Sequence, residues 1–506
     1  MTAQTTCAFE QLCQFARETA LLESVEELLG WDERTMLPPR AGAYRAEQIT
    51  YLAGVIHRRR TDAQVGRWLE QLADESSTAD PHSDRGATIR HIRREYEKKC
   101  KLPQSLVEEL TRAAVLGQQA WTEGREKEDF QAFRPFLEKT IELKRQEADA
   151  LGFADEPYDA LLDDYEPLAR TADVAKVLDA LRQELAPLLA AIVSSGRQPD
   201  RDILRRHYPT AAQRELGERG AATIGFDFDR GRLDVTHHPF CASVGPHDCR
   251  ITTRFDEHRF SAAFFGILHE AGHGIYDQGL RSEHFGLPPG TYVSLGIHES
   301  QSRMWENMVG RSIAFWRYLY PDAKKLFPDV LADITLDDFY HAINEVRPSL
   351  IRVEADEATY NLHIIIRFEL ERALLGGDLA VGDLPGAWRE KYREYLNIEP
   401  LNNADGVLQD IHWSAGLIGY FPTYTLGNLY AAQFFERADA ELGGLDQQFA
   451  KGEFQPLRQW LRENIHRHGQ CYTAMELAEE VTGKPLSHQP LMNYLKCKLK
   501  PLYGIE

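Results

Sequence analysis

Positive charge is the first thing this sequence has too little of. Its 58 Lys and Arg face 78 Asp and Glu, a formal net charge of −20. Nucleic acid and anionic membrane surfaces are held by concentrated Lys and Arg, so neither is expected as a partner, and the acidity is read as solubility. Long apolar runs are also missing. No stretch reaches the roughly 18 apolar residues of a membrane span. The opening MTAQTTCAFEQLCQFARETALLESVEELLGW has neither the basic start nor the apolar centre of a signal peptide. Cysteine is sparse: seven residues, an odd number, with no CxxC pair. That pattern argues against a disulfide framework and a structural zinc cluster, and for reduced thiols in the cytoplasm. Linkers and fixed-period repeats are absent too. The polar segment ADESSTADPHSDRG (73–86) reads as a loop or helix connection, too short to mark a domain boundary. Residues 1–506 are therefore expected to form one large domain, with room for two lobes.

What is present is helical period. FEQLCQFARETALLESVEELLGW sets apolar residues three and four apart, which makes one amphipathic face. VGRWLEQLADE, SLVEELTRAAVLGQQAWTEG, FRPFLEKTIELKRQEADALG, VAKVLDALRQELAPLLAAIV and EATYNLHIIIRFELERALL repeat the pattern. Thr171, ahead of ADVAKVL, reads as an N-cap. Strand signals are few. RGRLDVTHHPF and HDCRITTRF are expected to pair as a short hairpin, and GTYVSLGIHES to hold one more strand. All three flank a single motif, so the expected fold is mainly α with a small β-sheet beside that motif.

That motif is HEAGH (269–273), within FFGILHEAGHGIYDQG. Residues four apart share a helix face, so His269 and His273 can turn imidazole nitrogens toward one ion. Glu270 is rotated by about 100° and sits beside the ion, where it can act as general base toward a zinc-activated water. The same pattern arises by chance on the order of once in twenty such chains, and paired helix histidines can be ordinary surface groups. Context favours the metal. SAAFFGIL is apolar nearly all round, and unpaired buried imidazoles are costly. Gly272 and Gly274 weaken a helix by up to about 1 kcal/mol each, which close backbone approach by a neighbour would explain.

A catalytic zinc needs a third protein ligand and an open position. Residue 279 is Gly, which removes the metzincin arrangement. Glu299, in LGIHESQSRMWENMVGR, is the better third ligand, on what reads as a second helix. His298 is the rival ligand. Arg303, one turn on, is placed to orient Glu299. Asp277 is either a ligand or, more in keeping with its position, an acceptor for a ligand imidazole.

Three further clusters draw notice. His238, Asp248, Arg250 and Thr252 lie just upstream, where an Asp248–Arg250 pair can equally well tie a hairpin. Arg352, Glu354 and Asp356 can be a solvated face, but Arg367 and His363 sit in the apolar HIIIRF and need partners. An arginine in a cleft is the usual clamp for a carboxylate. Finally, Gln409, Asp410 and His412 adjoin Trp413, followed by Tyr420 and Tyr424 among glycines. A buried Tyr or His can donate to the oxyanion of amide hydrolysis, or belong to an aromatic core.

Taken in order, HPF (238–240), DCRIT (248–252), HEAGH (269–273), HESQ (298–301), IRVEAD (351–356) and GVLQDIHW (406–413) resemble the carboxypeptidase Taq family of metallocarboxypeptidases, as does WDERTMLPPRAGAYRAEQ (31–48). The resemblance covers nearly the whole chain. It implies a large helical fold with a long deep groove, similar to neurolysin-like peptidases. It implies release of single C-terminal residues from peptides with broad specificity, zinc or cobalt as cofactor, and a homodimer. Carried onto this sequence, His269, His273 and Glu299 bind the metal and Glu270 is base and acid. Arg352 grips the substrate carboxylate, with Arg250 second and His238 also substrate-binding. His412, Tyr420 and Tyr424 resemble transition-state donors by a looser match. The alternative is a metallo-oligopeptidase or endopeptidase with the same metal site.

Overall fold

The computed structural model describes residues 2–74 and 80–505, so part of the connection expected at 73–86 lies outside the described residues. The principal elements, in chain order, are α1 (Thr2–Thr35), α2 (Gln104–Glu126), α3 (Phe130–Leu151), α4 (Thr171–Ser194), α5 (Thr210–Ile224), β1 (Gly231–Val235), β2 (Cys241–Gly245), β3 (Asp248–Thr253), α6 (Phe260–Gly279), α7 (Leu295–Arg303), α8 (Ile313–Leu326), α9 (Thr359–Gly376), α10 (Leu384–Leu396) and α11 (Pro422–Leu442). The fold is mainly α with one small sheet. The chain separates into two compact units: Met1–Cys100, Pro199–Ile343 and Phe434–Pro485 form the first, and Lys101–Gln198, Asn344–Gln433 and Leu486–Glu506 the second.

The first unit holds the sheet, in the order β1-β3-β2. The two expected strands do pair, Leu233 opposite Ile251, but in parallel and not as a hairpin. The hairpin is instead β2–β3, with Cys241 opposite Ile251. Its turn passes through His247 at φ 67. β2 escapes a pattern reading because it is five residues long, with small side chains at Ala242 and Ser243. No strand forms in GTYVSLGIHES. The Ser294 hydroxyl accepts from the Ile297 amide, capping α7 and starting a helix there. α6 packs on β2 and β3 and is buried on nearly every side, as its apolar sequence requires. Around its first turns, Phe260 stacks on Phe264 at 5.5 Å, and Trp316 from α8 meets Phe264 at 5.0 Å and Phe339 at 4.6 Å. This aromatic core anchors the helix that carries HEAGH.

In the second unit, α2 and α3 pack together, joined at Asp129, whose carboxylate caps α3 at the Gln131 and Ala132 amides. α4 begins at Thr171 itself. Arg170 occupies the cap position, and the Thr171 amide is satisfied by Asp159 Oδ1 at 2.8 Å. α9 buries Asn361, His363, Arg367 and Glu371 along with its apolar residues. Among the described residues, no helix is long and apolar enough to cross a membrane, and six cysteines are free thiols.

Candidate metal centre

His269 and His273 lie one turn apart on α6, their rings 4.9 Å apart and nearly perpendicular. Their Nε2 atoms converge on one oxygen of Glu299 from α7. The separations to Glu299 Oε2 are 3.6 Å from His269 and 3.5 Å from His273. A tetrahedral ion with ligand distances near 2.1 Å sets its ligands ~3.4 Å apart, so these three donors fit one divalent ion. Each Nδ1 is engaged elsewhere: His269 with Glu306 Oε2 at 2.9 Å, His273 with the His298 carbonyl at 3.1 Å. With Nδ1–H donating to those oxygens, each Nε2 lone pair is left facing the centre.

The close approach of α6 and α7 has a sequence cause. A Cβ on Gly272 would come within 2.6 Å of Ser302 Cα and 2.8 Å of the Gln301 carbonyl oxygen. On the opposite side, a Cβ on Gly274 would meet the Phe226 ring at 2.5 Å and Cys249 Sγ at 3.2 Å. Both glycines are there for contact, as their cost to the helix suggests.

Carboxylates of different character surround the centre. Burial works against the Glu299 charge, but Arg303 and the two imidazoles outweigh it and hold the carboxyl well below its usual range. Arg303 Nε donates to Glu299 Oε1 at 2.6 Å, and Ser302 Oγ to Oε2 at 3.0 Å. Glu270 is the opposite case. Burial pushes its carboxyl up to about 7, with the neighbouring Glu299 adding to the shift. The histidines diverge too. Burial takes His273 down to about 4, whereas in His269 the Glu299 and Glu306 carboxylates overcome burial and raise it.

Glu306 is the residue that motif reading misses. It sits in a π-helical turn, Met304–Val309, where the Gly310 amide reaches back to the Trp305 carbonyl. Arg303 and Arg311 both pair with it, at 3.3 and 3.4 Å. Read as an unbroken α-helix, the sequence sets it seven residues, about two turns, beyond Glu299, and that spacing is the available signal. His298 is not turned to the centre. Its ring stacks on His273 at 4.3 Å, and its Nε2 meets Asp277 Oδ1 at 3.2 Å. Asp277 thus supports His298 and not a ring facing the centre.

Arg250 grips Asp248 through Nε and Nη2, both at 2.8 Å, and its guanidinium lies over Trp31 at 4.3 Å. His238 is exposed. These residues, like the metal triad, belong to the first unit.

Arg352, His412, Tyr420 and Tyr424 belong to the second unit, which brings them into one cluster. Asp410 accepts from two guanidinium groups: Arg352 Nε on Oδ1 at 2.9 Å and Arg367 Nε on Oδ2 at 2.7 Å. Burial opposes its charge, yet the two arginines hold it well below the usual carboxylate range. Arg352 Nη1 also donates to Tyr360 at 2.8 Å, and its guanidinium lies 5.2 Å from the Tyr424 ring. His412 Nε2 is 3.3 Å from the Tyr424 hydroxyl, and Tyr420 lies 5.3 Å from Tyr424. Burial and the two arginines take His412 down to about 4, so it is neutral at pH 7. His363 finds its expected partner in Tyr392, at 3.0 Å.

Comparison with known proteins agrees with this geometry. The family model of carboxypeptidase Taq (M32) metallopeptidase matches residues 11–499. Thermostable carboxypeptidase 1 of Thermus thermophilus is 48% identical, the match covering 98% of this chain and 99% of that one. Carboxypeptidase 1 of Bacillus subtilis is 39% identical over 94% of this chain and 95% of its own. Among solved structures, the M32 carboxypeptidase of Deinococcus radiodurans superposes with a TM-score of 0.94 at 42% identity, covering 99% of this chain and 100% of that one. These matches favour the carboxypeptidase reading over the endopeptidase alternative. The chain belongs to the carboxypeptidase Taq (M32) family of metallopeptidases, hydrolases of peptide bonds.

Proposed function

We propose that this metallocarboxypeptidase releases single residues from the carboxyl ends of peptides with broad specificity, residues 1–506 acting as one catalytic domain. The observation that carries the reading is the convergence of His269 Nε2, His273 Nε2 and Glu299 Oε2, with Glu270 buried beside them. Two imidazoles and a carboxylate suit zinc, and cobalt as an alternative. Bound there, the ion supplies Lewis acidity that activates water and polarises the scissile carbonyl. Glu270 takes the proton of the attacking water and returns it to the leaving amine. A carboxyl held near neutrality is matched to both transfers.

Arg352 is the proposed clamp for the terminal carboxylate. Two guanidinium groups share the single carboxylate of Asp410, which leaves positive charge for an incoming anion, and Arg352 is the less buried of the two. Arg250 is the weaker choice, since Asp248 balances its charge one for one, whereas Asp410 is shared by two arginines. Tyr420, Tyr424 and neutral His412 are the proposed donors to the oxyanion, and exposed His238 a peptide contact. A homodimer in the cytoplasm completes the reading, supported by the family resemblance and by the reduced thiols.

The test is mass spectrometry of a peptide offered with a free or an amidated carboxyl terminus. The free peptide should give a ladder of products, each one residue shorter, and the amidated one should resist. Equal cleavage of both would rule out the carboxylate clamp. Glu270→Gln should keep the ion yet lose about a thousandfold in turnover.

A further inference from the structure

The seven cysteines look scattered in sequence, yet the sheet order brings two together. Cys241 on β2 and Cys249 on β3 place their sulfurs 3.5 Å apart as free thiols. Asp277 from α6 completes the group: its Oδ2 lies 4.0 Å from Cys241 Sγ, and all three donor atoms fall within 4.8 Å of one another. A tetrahedral zinc-type ion, with bonds of about 2.3 Å to sulfur and 2.1 Å to oxygen, separates two sulfurs by ~3.8 Å and a sulfur from an oxygen by ~3.6 Å. The spacing therefore needs only small side-chain adjustments.

From this geometry we propose that Cys241, Cys249 and Asp277 form a second metal site, for a thiophilic divalent ion of the zinc class, separate from the catalytic triad. Two features support it beyond the spacing. Asp277 is already oriented, its other oxygen engaged by His298 Nε2 at 3.2 Å, which leaves Oδ2 toward the thiols. Access exists as well. A cavity of about 470 Å³, lined by Glu27, Arg230, Cys241, His247, Asp277 and His298, reaches the group and offers room for a water as fourth ligand. Binding exchanges the two thiol protons for the ion: M²⁺ joins two thiolates and one carboxylate, and two protons leave to solvent. The ion ties β2, β3 and the last turn of α6 together, one helical turn beyond His273.

Cadmium is the probe, because sulfur ligation gives an ultraviolet charge-transfer band that a His₂Glu centre cannot produce. The chain, reduced and stripped of metal, is titrated with cadmium while the band and the bound ions per chain are followed. The wild type should bind two ions, one of them with the band. Cys241→Ser should lose the band and one ion. Cys249→Ser should do the same, and His269→Ala should keep the band while losing the other ion. No band in the wild type, a band that survives Cys241→Ser, or recovery of the pair as a disulfide that excludes cadmium would each overturn the site. Failure of the His₂Glu centre would show differently, as loss of the bandless ion.

Discussion

Glu306 Oε2 lies 2.9 Å from Nδ1 of His269, across the contact between α6 and the π-turn that follows α7. Its own carboxyl is held down to about 2: burial opposes this, but the His269 hydrogen bond and Arg303 prevail. An ionised Glu306 can only accept, so Nδ1 carries the proton and Nε2 is bare. Glu306→Gln keeps the shape but removes the charge. Metal affinity should fall about tenfold to a hundredfold. Chelator competition against wild type checks this, and an unchanged affinity would mean Glu306 serves only Arg303 and Arg311.

His269 and His273 are legible in sequence because their relationship is local: four residues on a helix fix their common face. Glu299 follows from the need for a third donor on a second helix. Glu306 is harder, because its aim depends on a π-turn that shifts the helical phase after Arg303. The sheet fails differently. β1 and β3 are visible as strands, but their parallel pairing depends on β2, whose five residues carry no strong alternation. Cys241 and Cys249 meet only through that topology. Arg367 is recognisable as a buried charge needing a partner and Arg352 as either a solvated charge or a clamp, but that one carboxylate, Asp410, serves both lies in tertiary packing that no local pattern encodes.

Acid should weaken metal binding before it disturbs His273. In the metal-free chain the Glu299 and Glu306 carboxylates raise His269 above its ordinary 6.5, against burial, so a proton competes for it in mildly acidic solution. His273, taken down to about 4 by burial, offers no such competition until lower pH. A raised folded-state value stabilises the metal-free fold below the unfolded value, and that stabilisation is lost as pH rises through the folded one. Metal and proton therefore oppose each other. The rise in Tm on adding zinc should shrink steadily as pH drops from 8 toward 6, by calorimetry. A rise independent of pH would place the ion away from His269.

Gly272→Ala tests the contact that sets the triad. The new methyl meets backbone of α7, Ser302 Cα at 2.6 Å and the Gln301 carbonyl oxygen at 2.8 Å, neither of which can rotate away. The helices must part, at a cost of about 1–3 kcal/mol. Parting α7 also draws Glu299 from the histidines, so metal affinity should fall together with stability. Gly54→Ala, inside the helix Gly42–Arg60 where the nearest atom is the end of the Arg58 side chain at 3.5 Å, is the control: metal affinity should stay unchanged and stability should not fall, since Ala favours a helix over Gly by up to about 1 kcal/mol.

Arg352 and Asp410 should separate binding from stability. Arg352→Lys keeps the positive charge but lacks the fork that holds Asp410 Oδ1 through Nε and Nη2 and the Tyr360 hydroxyl through Nη1. Its expected effect is a raised KM for peptides with a free carboxyl terminus, with a smaller change in kcat. Asp410→Asn removes the anion that two buried guanidinium groups share, leaving both charges uncompensated. The expected loss is about 3–5 kcal/mol of stability, seen as a lower midpoint in urea. On the proposed roles the two variants diverge, because Arg352 would meet the substrate while Asp410 is held between Arg352 and Arg367. If Arg352→Lys instead lost stability as Asp410→Asn does, with KM unchanged in the folded fraction, Arg352 would be a structural ion-pair partner and the clamp would pass to Arg250.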